Sequence, residues 1–174
     1  RAFVSPQFHF HFIGFEFLPV LPGKWQYIPY LLMGVFALSM ALGFKYLLST
    51  GLLFIFWWNT YLTHKIGYNN HHYLYGILLG LFLLVPADKK YSFSKQKLSH
   101  AFRWHYLVFL VLLFLAFSYA AVAKIYPDWL NGHPIGSWLD NKEGFPAFFS
   151  NPNFHLLVAW GGIAFDGLVI PLLL

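Results

Sequence analysis

One stretch of this sequence limits its fold more than any other, because Trp104 to Ala123 contains no Asp, Glu, Lys or Arg. A run of about 20 apolar residues can cross the hydrocarbon core of a bilayer as a helix. Four further segments qualify, although two are short and need a thinner membrane or extended flanking residues. They are Gln26 to Leu47, Gly51 to Thr63, His72 to Val85 and Phe154 to Leu174. The sequence therefore predicts an all-α fold, a multi-spanning integral membrane helix bundle with about five spans.

The composition also indicates a membrane protein, and it excludes several kinds of chemistry. Apolar residues make up 59% of the chain and charged residues only 10%, against about a quarter charged in ordinary globular domains. One soluble core of this size could not bury so much apolar surface, whereas a bilayer accepts it in helical form. The absence of cysteine excludes disulfides, thiolate metal sites and a cysteine nucleophile. Phosphate-loop, HExxH and GxSxG motifs are absent too, so kinase, zinc-protease and serine-hydrolase functions have no support.

The distribution of basic residues predicts which loops face the cytoplasm. Five of the eleven Lys and Arg residues lie between Lys89 and Arg103, beside an apolar run. This pattern is typical of a cytoplasmic loop, and we expect no nucleic-acid partner. Alternation then puts the loop His64 to His71 and the segment Tyr126 to Asn153 on the outer face. The second of these is rich in Gly and Pro, which predicts a structured loop or short interfacial helices. We assign no regular structure to Phe8 to Phe12.

Three groups of polar residues stand close to predicted hydrocarbon, where an ionisable group is expensive and usually faces a cavity or a partner. They are the cluster Tyr68 to Tyr73, Lys124 and Asp166. Each has a purely structural explanation. An Asn of the cluster can cap the next helix, Lys124 can extend toward water at a helix C-terminus, and Asp166 can pack between helices or form a salt bridge.

The same residues also allow a functional interpretation. An amide and an imidazole at the mouth of a helix bundle can form hydrogen bonds with a quinone-like oxygen and transfer protons to or from it. Only one of His71 and His72 can face such a point. A partly desolvated Lys124 would provide neutral amine as a base. His9 and His11 have a chelating spacing without an evident third ligand, so we predict no metal site. A haem held by His71, His105 or His155 is disfavoured because the predicted topology separates His105 from the others.

Several motifs together resemble one protein family. The segment Asn69 to Gly76, with the sequence NNHHYLYG, resembles the NNHxYL signature of the vitamin K-dependent γ-carboxylases. The segment Ala123 to Leu130 is similar to that family's Lys-x-x-x-Asp-Trp motif, and Gly161 to Asp166 resembles its Gly-Gly-x-x-x-Asp helix. Gly14 to Pro22 also fits. The order and spacing agree along nearly the whole chain, and we expect a microbial-type member of the family. The resemblance implies that residues 1–174 are the central part of an HTTM-type transmembrane domain, a partial chain lacking the first helix and the C-terminal portion.

The resemblance also implies a reaction and a set of roles. Enzymes of this family oxidise reduced vitamin K or a related quinol with O2, and the strong base so generated removes a γ-proton from a protein glutamate, which then adds CO2. By position, Lys124 would deprotonate the hydroquinone, His71 would support the oxygenated intermediate, and Asn70 would hold a quinone oxygen. His64 and Lys65 stand where relatives often carry Asp-Lys, which leaves the orientation of neighbouring groups undefined.

Two functions are therefore expected from the sequence. The first is a carboxylase-like membrane lyase acting on a protein or peptide glutamate. The alternative is a non-catalytic quinone-binding or lipid-binding protein, or a structural subunit of a larger membrane complex. In both cases membrane lipid is a partner. We expect a bacterial inner membrane, with the site on its outer, non-cytoplasmic face.

Overall fold

The computed structural model describes residues 9–88, 92–93, 102–139 and 146–173. Within these ranges the chain forms α-helices and short 3-10 helices and no strand, which confirms the all-α prediction. Residues 9–12 have no regular structure, as expected. Most of the basic loop predicted to be cytoplasmic lies outside the described residues. The chain divides into two compact units, residues 1–105 and 106–174, and each is described by itself.

Three helices form the first unit. They are α1 (Tyr27–Ala41), α2 (Tyr46–Thr63) and α3 (Asn70–Leu84), and α2 packs against both of the others. Gly43 and Lys45 both have positive φ angles, of 69° and 43°, and they turn the chain between α1 and α2. The helix α2 therefore begins at Tyr46, so the expected start of the second segment at Gly51 was wrong. The expected end of the first segment at Leu47 was wrong too, because α1 ends at Ala41. Thr50 is fully buried and its hydroxyl donates to the Tyr46 carbonyl at 2.8 Å.

The segment before α1 is attached to the end of α2. The Phe12 amide donates to the Leu62 carbonyl at 2.9 Å, and the Lys65 amide donates to the Phe10 carbonyl at 2.8 Å. A 3-10 turn, Lys65–Gly67, follows α2 and leads to α3. These backbone bonds bring the histidines of the opening segment close to the loop between α2 and α3.

The second unit contains almost all of α4 (Arg103–Ala123), followed by α5 (Pro127–Leu130), α6 (His133–Leu139) and α7 (Pro152–Leu168). The short helices α5 and α6 confirm the prediction of short helices after Tyr126, as far as that segment is described. Both α5 and α6 pack against α7. Gly132 has φ of 75°, and a Cβ atom there would lie 3.1 Å from the backbone of His155. This close approach fits only glycine.

The helices differ in their capacity to cross a bilayer. Among the described helices, α4 has both the length and the apolarity required, with 21 residues and a mean hydropathy of 2.4. The helices α1 and α3 contain 15 residues each, or ~22 Å at the usual rise per residue, against a hydrocarbon core of ~30 Å. Each of the five longest described helices overlaps with one of the five predicted segments, but the number of spans stays a prediction.

Candidate functional site

The polar cluster begins with a helix cap at the start of α3. The side chain of Asn69 accepts a hydrogen bond from the His71 amide at 2.8 Å, so the structural role considered for an Asn in this cluster is confirmed. The same Oδ1 atom lies 2.8 Å from His71 Nδ1. Because Oδ1 is an acceptor, Nδ1 carries the proton, and neutral His71 presents an unprotonated Nε2. The cap therefore sets both the orientation and the tautomer of His71.

The neighbouring Asn70 is oriented in a similar way. The hydroxyl of Tyr68 donates to Asn70 Oδ1 at 2.7 Å, which leaves the two N–H groups of Nδ2 as donors. Asn70 and His71 are both exposed in the first turn of α3. Together they offer an amide donor and an imidazole acceptor, a pair suited to an oxygen atom that gains or loses a proton.

His72 lies in a different environment from His71. The indole N–H of Trp57, on α2, donates to the His72 carbonyl at 3.0 Å. The ring of His72 packs edge-on against the Trp57 ring, with centroids 6.0 Å apart. Of the two histidines, only His71 therefore belongs with Tyr68, Asn69 and Asn70, a group that we call the amide cluster. This agrees with the expectation that only one histidine of the pair can face such a point.

The second group of predicted residues comes together in the second unit. Lys124 follows α4 directly, and its Nζ atom forms an ion pair and hydrogen bond with Asp166 Oδ2 on α7. The two side chains are 24% and 13% exposed. Nζ also lies 5.4 Å from the ring of Trp129, whose indole N–H donates to the Ala159 carbonyl at 3.0 Å. Residues of two motifs that are distant in sequence, Lys124 and Trp129 of one and Asp166 of the other, therefore share one environment.

This pairing bears on what Lys124 can do. A lysine acts as a base only after its ammonium has released a proton, and Asp166 Oδ2 is the acceptor in direct contact. The face of the Trp129 ring attracts the cationic form. The contact observed is therefore that of an ammonium with a carboxylate, and Asp166 is the group in position to receive a proton from Lys124. The salt bridge considered for Asp166 is present, and it accounts for a charged residue in the last turn of α7.

A third polar group, which the sequence did not reveal, surrounds His64 in the first unit. The rings of His9 and His64 have centroids 5.0 Å apart, and His64 Nε2 lies 3.2 Å from Gln26 Nε2. Because Gln26 Oε1 already accepts from the Leu21 amide at 3.1 Å, the Gln26 amino group donates to His64. Neutral His64 therefore carries its proton on Nδ1. The one signal available in the sequence was the resemblance described above, which implies that relatives often carry Asp where this chain has His64.

Burial lowers the pKa of His64, and the neighbouring His9 and His11 add to this effect. The ring of His64 is thus held neutral near pH 7. In the described part of the chain, no group of three or more His, Asp or Glu side chains is arranged to hold a metal ion.

The predicted site residues are distributed over both units. The structure brings Asn70 and His71 together in the first unit, and it brings Lys124 together with Asp166 and Trp129 in the second. Two of the histidines considered for haem, His155 and His105, contact other groups. His155 Nε2 lies 2.6 Å from the Phe149 carbonyl oxygen, to which it donates. The buried His105 ring packs against Trp104, with centroids 4.1 Å apart.

Comparison with protein-family models identifies a family for this chain. The model of a family described as the HTTM domain matches residues 1–174, the whole length of the chain. No solved structure matches the chain significantly.

Proposed function

The chain belongs to the HTTM domain family, the domain of the vitamin K-dependent γ-carboxylases, and from this we propose that it is a carboxylase-like membrane enzyme. Its reaction couples the oxidation of a reduced quinone by O2 to the γ-carboxylation of a protein glutamate. The observation that carries the proposal is the environment of Lys124. The lysine of one family motif is paired with the aspartate of a second motif and lies over the tryptophan of the first.

A membrane location is supported by the apolar surfaces of the helices. Leu31 and Leu38 on α1 and Leu47 on α2 are each at least 65% exposed. The apolar window of α4 is only 6% buried. A helix that is apolar all round needs either a protein core or lipid around it. We propose that lipid covers these surfaces and that α1, α2, α3, α4 and α7 all span the membrane, the shorter ones where the bilayer thins.

The amide cluster offers a hydrogen-bond donor and an acceptor that suit the oxygen atom of a quinone or quinol. When bound, a reduced quinone supplies the electrons that O2 accepts and, through that oxidation, a strong base. In this proposal Asn70 Nδ2 donates to one ring oxygen of the quinone. His71 Nε2, unprotonated because Asn69 binds Nδ1, accepts a proton or a hydrogen bond at the same end. The Asn69 side chain therefore orients the ring of His71 as well as capping α3.

Lys124 would act as the base toward the hydroquinone hydroxyl. For this role the ammonium passes one proton to Asp166, which leaves a neutral amine and a neutral carboxylic acid. With a hydroquinone bound, the amine of Lys124 would accept the hydroxyl proton, and Asp166 would hold the proton that Lys124 had released. Trp129, fixed by its hydrogen bond to α7, keeps the amine beside Asp166. The outer face of a bacterial inner membrane would let a lipophilic quinol enter from the bilayer while a protein substrate approaches from water.

Quinol oxidation by the full-length protein tests these roles. We expect wild-type protein to consume reduced quinone and O2 together and to yield epoxidised quinone. We expect Lys124→Ala, His71→Ala and Asn70→Ala to lower the rate by about 10²–10⁴-fold. The matched control is Tyr119→Phe on α4, a residue 75% exposed, with an unchanged rate. If wild-type protein forms no product but purifies in a stable complex that all three alanine variants leave intact, the alternative of a non-catalytic subunit is correct.

A further inference from the structure

A cavity of the first unit opens at the end of α3, whereas the amide cluster lies at the start of that helix. The cavity has a volume of about 650 Å³ and lies between the start of α2 and the end of α3. The hydroxyl of Tyr46, on α2, donates to the Phe82 carbonyl at 2.7 Å and so connects the two helix ends. A space of this size accommodates a small molecule or the headgroup of a lipid.

Two side chains of opposite charge line this cavity. Lys45, immediately before α2, is exposed, whereas Asp88, beyond the end of α3, is 8% exposed. A Cβ atom at Gly43 would lie 3.3 Å from the Cβ atom of Asp88, so the turn that carries Lys45 packs against the aspartate. The structure describes both charged residues, and they form no ion pair with each other. The cavity therefore presents a cation and an anion at separate points.

Apolar side chains surround these two charges. Leu47, Leu48 and Leu84 line the cavity, and each is at least 57% exposed. In a chain that spans the membrane, lipid covers such leucines. This end of the unit is the one predicted to be cytoplasmic, because the basic loop follows Asp88 in the sequence. The leucines are therefore placed to contact acyl chains of the inner leaflet, and the charged pair is placed at the depth of the headgroups.

We propose that this cavity binds a zwitterionic phospholipid of the inner leaflet, with the phosphate on Lys45 and a primary ammonium on Asp88. The proposal rests on the membrane location proposed above and not on carboxylation. Each charged group of such a lipid meets a side chain of opposite charge, and the ammonium also donates hydrogen bonds to the carboxylate. Phosphatidylethanolamine has this chemistry. Phosphatidylglycerol has no cation for Asp88, and the quaternary ammonium of phosphatidylcholine has no N–H donor.

Native mass spectrometry of the full-length protein, purified in detergent and titrated with single lipids, tests the proposal. The three probes are phosphatidylethanolamine, phosphatidylcholine and phosphatidylglycerol, all with the same palmitoyl and oleoyl chains. The acyl chains contribute equally to all three, so a difference in affinity reports on the headgroup. We expect phosphatidylethanolamine to bind saturably and about 10-fold more tightly than either of the other two, because it alone provides both a phosphate and an N–H donor of positive charge.

Each charged side chain has its own variant. Lys45→Asn removes the cation, and Asn adopts the positive φ angle of 43° at this position more readily than Lys does. We expect it to weaken phosphatidylethanolamine and phosphatidylglycerol alike, by about 10-fold. Asp88→Asn should weaken phosphatidylethanolamine by about 10-fold without weakening phosphatidylglycerol, so that the preference is lost. The matched control is Lys24→Ala, which removes an exposed lysine that does not line the cavity and should change nothing.

The proposal is overturned if phosphatidylcholine or phosphatidylglycerol binds as tightly as phosphatidylethanolamine, or if Lys45→Asn and Lys24→Ala bind that lipid alike. Should Asp88→Asn fail to fold because its side chain is buried, the three lipids and the two lysine variants still decide the question. The readout is lipid binding and needs no quinol. Active protein without the lipid preference would contradict this proposal alone, and inactive protein with the preference would contradict only the proposed carboxylation.

Discussion

The ion pair between Lys124 and Asp166 allows the most quantitative prediction. The perturbations are Lys124→Ala, Asp166→Ala and the double variant. Exposed ion pairs contribute about 0.2–1 kcal/mol, whereas removing one partner of a buried pair costs about 3–5 kcal/mol. Because these side chains are 24% and 13% exposed, we expect an intermediate loss of about 1.5–3 kcal/mol for each single variant. Lys124→Ala also removes the contact with Trp129, worth about 0.5–1 kcal/mol.

The coupling between the two residues is measured by a double-mutant cycle. Reversible unfolding of the full-length protein in mixed micelles gives the free energy of unfolding for wild type and the three variants. We expect a coupling free energy of about 1–2 kcal/mol, because the second substitution removes a charge that the first has already left unpaired. Additive losses, within about 0.3 kcal/mol, would show that the two groups do not stabilise each other and would refute the reasoning.

Three further predictions concern the first unit. Asn69→Ala removes the cap of α3 and should lower the free energy of unfolding by about 1 kcal/mol, while Asn69→Ser should retain most of it. Because burial lowers the pKa of His64 in the folded state, the unfolded state takes up the proton first as pH falls below 6.5; thermal melts should therefore show wild type losing stability below that pH relative to His64→Phe. Gly76→Ala would place a Cβ atom 2.7 Å from the ring of Trp58 and should destabilise by about 1–3 kcal/mol, whereas Gly34→Ala, which meets nothing, should be neutral or stabilising in the same denaturant titration.

Each of these has an outcome that contradicts it. Equal stability of Asn69→Ala and wild type would mean that the cap contributes nothing. Parallel pH profiles for wild type and His64→Phe would show that His64 is not held neutral. If Gly76→Ala and Gly34→Ala unfold at the same denaturant concentration, α2 and α3 do not approach as closely as the structure indicates.

Helix positions were predictable where a local signal exists. The apolar runs located all five long helices, and the affinity of Asn for helix N-termini anticipated the cap of α3. The start of α2 was not predictable, because Lys45 adopts a positive φ angle of 43° that lysine seldom takes. Gly43 indicates a turn nearby, but a lysine in this conformation gives no local signal of where the turn ends. The apolar residues continue through this turn, so the start predicted for the second segment lies after the true start of α2.

The candidate site was predictable as a set of residues but not as a set of contacts. The cost of an ionisable group near hydrocarbon selected Lys124 and Asp166 separately, and the family resemblance then placed each in a motif. Their pairing joins the end of α4 to the last turn of α7. No sequence periodicity reports such a long-range contact. The tautomers of His71 and His64 depend on which oxygen of Asn69 or Gln26 faces which donor. That information exists only once the backbone has folded.

The most direct test of the central claim is the incorporation of CO2 into a glutamyl peptide by the full-length protein. The account predicts incorporation that requires both reduced quinone and O2, that persists in Tyr119→Phe, and that is lost in Lys124→Ala. Incorporation that continues unchanged in Lys124→Ala would contradict the proposed role of the lysine. Wild-type protein that incorporates no CO2 under any quinol would contradict the proposed activity itself.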